Sequence, residues 1–187
     1  MSRASFSAAL AAVALCVLAF SFTAPVDAAT GVRVKIITTE GPIVVALDPQ
    51  HAPKTVANFL HYVDTKFYNG GSFFRAVPGF VIQGGNRPHE KPTDPKIDLE
   101  TPLSTGILNK DGAISMARTS DPNSATSEFF ICDGDQPSLD GAPGAPGYAA
   151  FGHVVSGMDV VRKIARLPVQ GEMLVNEVKI IKIVRVP

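Results

Sequence analysis

Phe73-Phe74-Arg75-Ala76-Val77-Pro78-Gly79-Phe80-Val81-Ile82-Gln83-Gly84-Gly85 is the stretch that decides how the chain is read. Two apolar runs flank the turn pair Pro78-Gly79, and a double glycine ends the second run, so the pattern is strand, turn, strand, break. Arg75 lies inside the first run, where a guanidinium is costly unless its charge has a partner or a task. Phe80 and Gln83 follow close behind. A cation beside an aromatic floor and an amide suits an uncharged amide ligand. The same residues also fit a core hairpin whose arginine reaches solvent or a buried carboxylate, and this stretch alone leaves both readings open.

On its N-terminal side, Val32, Val34 and Ile36 alternate with Arg33 and Lys35, Glu40-Gly41 turns the chain, and Ile43 to Leu47 continues it, which predicts a hairpin. Pro53 opens a helix whose Val56, Phe59, Leu60 and Val63 form one apolar stripe. On the C-terminal side, residues 86–106 read as a long polar loop with a short strand at Ile97 to Glu100. Short strands are expected at Gly112 to Ala117, Glu128 to Cys132 and Tyr148 to Val155, separated by loops from Arg118 to Thr126 and from Asp133 to Gly147. Met158, Val161, Ile164 and Ala165 stripe a second helix ending before Pro168, and Glu172 to Val186 holds the last strand. Few helices among many strands, with no repeating strand–helix unit, predict a mainly β protein. The expected form is a closed antiparallel sheet capped by helices, not a doubly wound fold.

The 187-residue length fits one domain with a sizeable core, and 45% hydrophobic with 18% charged residues argues against disorder. Lys plus Arg, 17, equals Asp plus Glu, 17, a balance that offers no footprint for nucleic acid or an anionic membrane. Residues 1–28 stand apart. Arg3 precedes an apolar run from Ala8 to Phe22, and Val26-Asp27-Ala28 fits a cleavage site after Ala28. They predict a signal peptide, with residues 29–187 as the mature domain, periplasmic or secreted and without stable membrane association. The alternative is an uncleaved anchor. Cys16 follows Leu15 inside the apolar run, where a lipoprotein would need a small residue. After cleavage only Cys132 remains, so no intramolecular disulfide is expected, and Cys132 reads as a buried small hydrophobe. His51 and His61 read as surface histidines, and no metal site is expected.

The central stretch resembles the signature of cyclophilin-type peptidyl-prolyl isomerases: Phe-His-Arg, two aliphatics, Pro-Gly-Phe, then Gln-Gly-Gly. Ser127-Glu128-Phe129-Phe130-Ile131 is similar to the family's Ser-Gln-Phe-Phe-Ile, and Phe151-Gly152 with Val154-Val155 to its Val-Phe-Gly-x-Val segment. The resemblance runs from about Val32 to Val186. It implies a closed eight-stranded antiparallel β-barrel with a helix at each end. It also implies a monomeric isomerase of Xaa-Pro bonds in proline-containing polypeptides that needs no cofactor, here assisting the folding of exported proteins.

By the same resemblance, Arg75 would hold the substrate carbonyl and stabilise the pyramidalising proline nitrogen. Phe80, Phe130, Met116 and Leu139 would form the proline pocket, and Gln83 would bond the substrate backbone. Backbone groups around Ala117-Arg118 would align the residue before proline. Six positions depart from or vary within the family pattern. Phe74 stands where His is frequent, Val81 where some members have Met, Arg118 where many have Asn, and Tyr148 where others have His. Glu128 replaces Gln, which puts a carboxylate within the expected reach of Arg75. Ser138 occupies the place of the Trp found in members that bind cyclosporin tightly. A regular strand would put Phe80 and Gln83 on opposite faces, so a twist or bulge is needed for both to line one site.

The alternative is a non-catalytic proline-peptide-binding or chaperone module on the same barrel. Arg75 with Gln83 favours the enzyme, and Glu128 keeps the alternative open. A lipocalin-type ligand barrel is disfavoured by the lack of regular long up-and-down strands.

Overall fold

Alternation in the sequence becomes alternation in burial. The computed structural model describes Met1 and residues 31–85 and 93–187, so the expected leader, apart from Met1, lies outside the described residues. In β1 (Arg33–Thr38) and β2 (Gly41–Leu47), Val34, Ile36, Ile43, Val45 and Leu47 point inward and are buried. Helix α1 (Pro53–Asp64) buries the expected stripe of Val56, Phe59, Leu60 and Val63, with Thr55 and Tyr62 beside it. The central stretch forms β3 (Ser72–Val77) and β4 (Val81–Gly85). Then come α2 (Pro102–Thr105), β5 (Ala113–Met116), β6 (Phe129–Cys132) and β7 (Ala150–Ser156). Helix α3 (Met158–Ala165), β8 (Val169–Gln170) and β9 (Met173–Val186) complete the chain.

The strands are antiparallel and follow the order β1-β2-β7-β5-β6-β4-β3-β9. β1 pairs with β9 as well as with β2, placing Arg33 opposite Val186, so these eight strands close into a barrel. β8 stands outside the ring and pairs only with the start of β9. Closure leaves no free edge along the ring on which another chain could pair.

Phe59 of α1 enters an aromatic core. It meets Phe129 edge-on at 5.5 Å between ring centroids, Tyr68 at 5.3 Å and Phe151 at 5.2 Å. Such pairs contribute about 0.5–1.5 kcal/mol each beyond their buried area. The Tyr68 hydroxyl, fully buried, donates to the Ser127 carbonyl at 2.8 Å, which satisfies the one polar group in this cluster of rings. Helix α3 adds Val160, Val161, Ile164 and Ala165 to the same core.

The glycine pair at the end of β4 has a steric reason. A Cβ on Gly84 would lie 2.6 Å from the Ser72 carbonyl oxygen, because β3 and β4 cross closely there. In β9 strand alternation buries Val178 and Ile180 and then slips. Ile37 faces Lys182 while Thr38 faces Ile180, so Ile181 is an extra residue, 53% exposed.

The long polar segment differs most from its reading. Ile97 makes a single bridge to Ala125 instead of a short strand through Glu100. The Glu100 carboxylate accepts from the backbone N–H of Lys54 at 3.1 Å and of Thr55 at 2.8 Å, and from the Thr55 hydroxyl at 2.7 Å. Ala52, at the N-cap of α1, has no side chain able to do this, so a carboxylate far along the chain supplies the cap. The one-turn α2, the 3-10 turn at Pro137–Leu139 and β8 all arise in segments read as loop or connection.

Candidate active site

A β-bulge places the arginine. Phe73 is opposite Gly84 and Arg75 opposite Gln83, so Phe74 is one extra residue on β3. Without it, Arg75 would share the face of Phe73 and point into the aromatic core. With it, Arg75 emerges on the outer face in line with Gln83, which in turn is opposite Phe130 on β6. Phe80 escapes strand alternation altogether. It closes the Pro78-Gly79 turn, its N–H donating to the Val77 carbonyl at 3.0 Å, and β4 begins one residue later. Gly79 holds φ at +73°, a conformation that disfavours any side chain.

These elements surround a cavity of about 140 Å³. Arg75, Gln83, Ala117 and Arg118 form its polar side, and Phe80, Val81, Phe130, Leu139 and Tyr148 its apolar side. Three expected site residues, Met116, Phe74 and Glu128, do not line it. Met116 faces the barrel interior opposite Phe129 and is 1% exposed, so it is core. Phe74, the bulged residue, is buried. Glu128 lines a neighbouring, more open cavity with Gln83, Ala117, Arg118, Thr119, Ser124 and Thr126.

The carboxylate partner of Arg75 is Glu172, not Glu128. Nε of Arg75 donates to Glu172 Oε2 at 2.7 Å, and Nη2 lies 2.7 Å from the same oxygen. Nη1 donates to Gln83 Oε1 at 3.2 Å, and Gln83 Nε2 donates to Glu128 Oε2 at 2.9 Å. Glu128 is thus one link removed from the arginine. The guanidinium also lies 6.0 Å from the centroid of the Phe80 ring.

Two of the positions that depart from the family pattern act as one unit. The Arg118 guanidinium stacks 4.3 Å above the Tyr148 ring, and its Nε and Nη2 donate to the Gly147 carbonyl at 3.0 and 2.7 Å. Tyr148 packs edge-on against Phe130 at 5.6 Å. Together they make one wall of the cavity.

Asn109, invisible as a site residue in the sequence, holds that wall in place. Its amide donates to the carbonyls of Leu139 at 3.1 Å and Tyr148 at 3.3 Å and to Asp140 Oδ1 at 3.0 Å, while its carbonyl oxygen accepts from Ser115 at 2.6 Å. The Phe80 turn is tied down from the segment after β6. Gln136 Nε2 donates to the Gly79 carbonyl at 2.9 Å, and the Asp133 N–H to the Phe80 carbonyl at 2.8 Å. Beneath the cavity, Cys132 packs with Val81, Ala113, Phe130 and Leu139. Burial, followed by the nearby carboxylates of Asp140, Asp111 and Asp135, pushes its thiol up to about 12, so it stays protonated and unreactive.

The family described as cyclophilin type peptidyl-prolyl cis-trans isomerase/CLD matches residues 33–185, the whole of the barrel apart from its last residue. The chain belongs to this family. It is therefore an isomerase of peptidyl-prolyl bonds. It is 44% identical over 161 residues to peptidyl-prolyl cis-trans isomerase A of Dickeya dadantii, covering 84% of each protein. It is 42% identical over 131 residues to peptidyl-prolyl cis-trans isomerase B of Escherichia coli, covering 68% of this chain and 80% of that one. The crystal structure of a cyclophilin type isomerase from Cryptosporidium parvum superposes with a TM-score of 0.73 at 26% identity. It covers 84% of this chain and 98% of that one. The same protein, solved in the presence of the dipeptide Ala-Pro, gives a TM-score of 0.72 at 28% identity.

For a cyclophilin-type isomerase the geometry is economical. Rotation about an Xaa-Pro bond breaks no covalent bond and transfers no proton. It needs an apolar seat for the proline ring and a donor that favours the twisted amide over the planar one. Around this cavity lie an apolar wall and a donor: both terminal nitrogens of Arg75 keep an N–H beyond those given to Glu172 and Gln83.

Proposed function

We propose that the cyclophilin-type domain catalyses isomerisation of Xaa-Pro bonds in exported polypeptides, after cleavage behind Ala28 releases it into the periplasm or outside the cell. The proline ring sits against Phe80, Val81, Phe130 and Leu139. Arg75 donates to the carbonyl and stabilises the twisted amide, Gln83 contacts the substrate backbone, and Ala117 with Arg118 aligns the residue before proline. The observation that carries this reading is the outward-turned guanidinium of Arg75 beside a cavity whose apolar side is Phe80, Val81, Phe130, Leu139 and Tyr148. The Ala-Pro dipeptide named for the Cryptosporidium parvum structure supports the substrate class.

The energetics are modest. The uncatalysed barrier is about 18–20 kcal/mol. Three decades of acceleration correspond to about 4 kcal/mol. One charge-assisted hydrogen bond supplies about 1.5–3 kcal/mol, and the apolar seat supplies the remainder.

The test is steady-state isomerisation of a Xaa-Pro peptide. Arg75→Ala is expected to lower kcat more than it raises KM, and Arg75→Lys to fail as a rescue, because lysine keeps the charge and loses the planar fork. Rates are expected to be insensitive to chelators and flat between about pH 6 and 8, since no step requires a titrating group. A folded Arg75→Ala protein with near-normal turnover overturns the role given to Arg75. Mass spectrometry of the exported protein checks for a mature start at Ala29, and an intact start at Met1 or Ser2 in a membrane fraction overturns the processing.

A further inference from the structure

The β8–β9 hairpin adds little to the core. Every residue from Val169 to Met173 is exposed, and β8 is only two residues long. Its loop is the pair Gly171-Glu172, between Gln170 and its partner Met173. Gly171 adopts φ +66°, the positive value that primed hairpin turns require at their first central position, and this fixes where Glu172 projects. The Glu172 backbone carbonyl accepts from the Ala76 N–H at 2.9 Å, stitching the hairpin tip to the strand that carries Arg75. Its carboxylate then faces the Nε–Nη2 edge of that arginine, with Oε2 2.7 Å from both nitrogens. Gln83 grips Nη1 from the other side.

We propose that Glu172 is a positioning residue for the isomerisation: it holds the Arg75 guanidinium in one orientation beside the proline cavity. The inference rests on the role of Arg75 given above. Two effects oppose each other. A neighbouring carboxylate weakens the positive potential that Arg75 offers the substrate, and it also removes the rotamer freedom of a long side chain. The Glu172 side chain is 57% exposed, so water and salt screen the first effect. Arg75, at 25% exposure, would otherwise sample several rotamers at the mouth of the cavity, so the orienting effect is the larger.

The experiment compares the full chain with Glu172→Ala, Glu172→Gln and Arg75→Ala, using kcat and KM for a Xaa-Pro peptide, thermal denaturation, and the NMR signal of the Arg75 Nε–H. That signal is assigned by its loss in Arg75→Lys. Glu172→Ala is expected to lower kcat about three- to tenfold with KM within about twofold and an unaltered melting temperature. Glu172→Gln, which keeps an acceptor at the same length, recovers part of the loss. The Nε–H signal exchanges slowly in the unaltered chain and broadens in Glu172→Ala. Activity abolished in Arg75→Ala but untouched in Glu172→Ala overturns this inference alone, as does an Nε–H signal that Glu172→Ala leaves unchanged. An unaltered chain without isomerase activity overturns the reading of the site and this inference with it.

Discussion

The carboxylate of Asp133 holds the backbone of Gly79: Oδ2 accepts from the Gly79 N–H at 2.9 Å, across 54 residues of sequence. The turn that presents Phe80 is thereby clamped from the strand end next to Phe130. Asp133 is 5% exposed, and its other oxygen lies 3.7 Å from Nε of Arg162 on α3. Asp133→Ala is expected to destabilise the fold by about 1–3 kcal/mol, because a partly buried N–H loses its acceptor. It should also lower kcat/KM by loosening Phe80. Asp133→Asn keeps an acceptor and should retain most of both. Urea denaturation and the isomerisation assay on the two variants decide the matter, and equal behaviour of Ala and unaltered protein counts against the clamp.

Arg118 and Tyr148 form one wall, so their substitutions should not add. Arg118→Ala and Tyr148→Ala are each expected to raise KM more than they lower kcat. The double variant should be milder than the sum by about 0.5–2 kcal/mol, the coupling expected of a stacked cation and ring. A double-mutant cycle on peptide binding measures it, and a coupling of zero would show that the stack is incidental to substrate.

Ser138 sits exposed on the 3-10 turn immediately before the cavity residue Leu139. It offers neither the flat surface nor the N–H of an indole. Inhibition by cyclosporin should therefore be weak in the unaltered protein and partly restored by Ser138→Trp. Titration of both proteins with the drug is the check. Potent inhibition of the unaltered chain would show that this position does not govern affinity.

The buried thiol of Cys132 gives a pH dependence with a defined sign. Its value is raised in the folded state to about 12, so the folded chain favours the protonated form more than the unfolded chain does. The resulting stability is fully present below the unfolded thiol's value near 8.5 and is lost as pH rises toward about 12. Relative to Cys132→Ala, the unaltered protein should lose about 2–3 kcal/mol between about pH 8 and pH 10.5. Tyr68, raised by burial, adds to the alkaline loss in both proteins and cancels in the comparison. Denaturant midpoints of the pair across that range provide the measurement. Parallel curves would mean that the thiolate is tolerated where it sits.

Much of the barrel was legible because alternation and helical stripes are local patterns. The edges of β1, β2, α1 and β6 fall within a residue or two of their expected positions. The cavity was legible through Arg75, Gln83 and Phe130, which lie in short distinctive blocks. What the chain order hides is long-range. The bulge at Phe74 is set by simultaneous pairing of β3 with β4 and β9, so Phe74 could not be recognised as an inserted, buried residue. Met116 was placed in the proline pocket by the family resemblance, and the pairing with Phe129 sends it inward. Glu172 lies 97 residues from Arg75, in a two-residue loop with no motif around it. Asn109 sits in a turn-forming run, and its role depends on segments 30 and 39 residues away.

The pairing of the first strand with the last has a consequence in time. β9 lies beside β1, β3 and β8, so neither the ring nor the contact of Glu172 with Arg75 can exist before residues 172–186 are available. A chain emerging from a ribosome or a translocation pore carries most of its apolar strands early but lacks the piece that joins their ends. Such dependence on distant pairings places folding on the slow side for a domain of this size, on the order of milliseconds to seconds. Isomerase activity should accordingly appear in one late step as β9 is completed, with no partially active precursor before it.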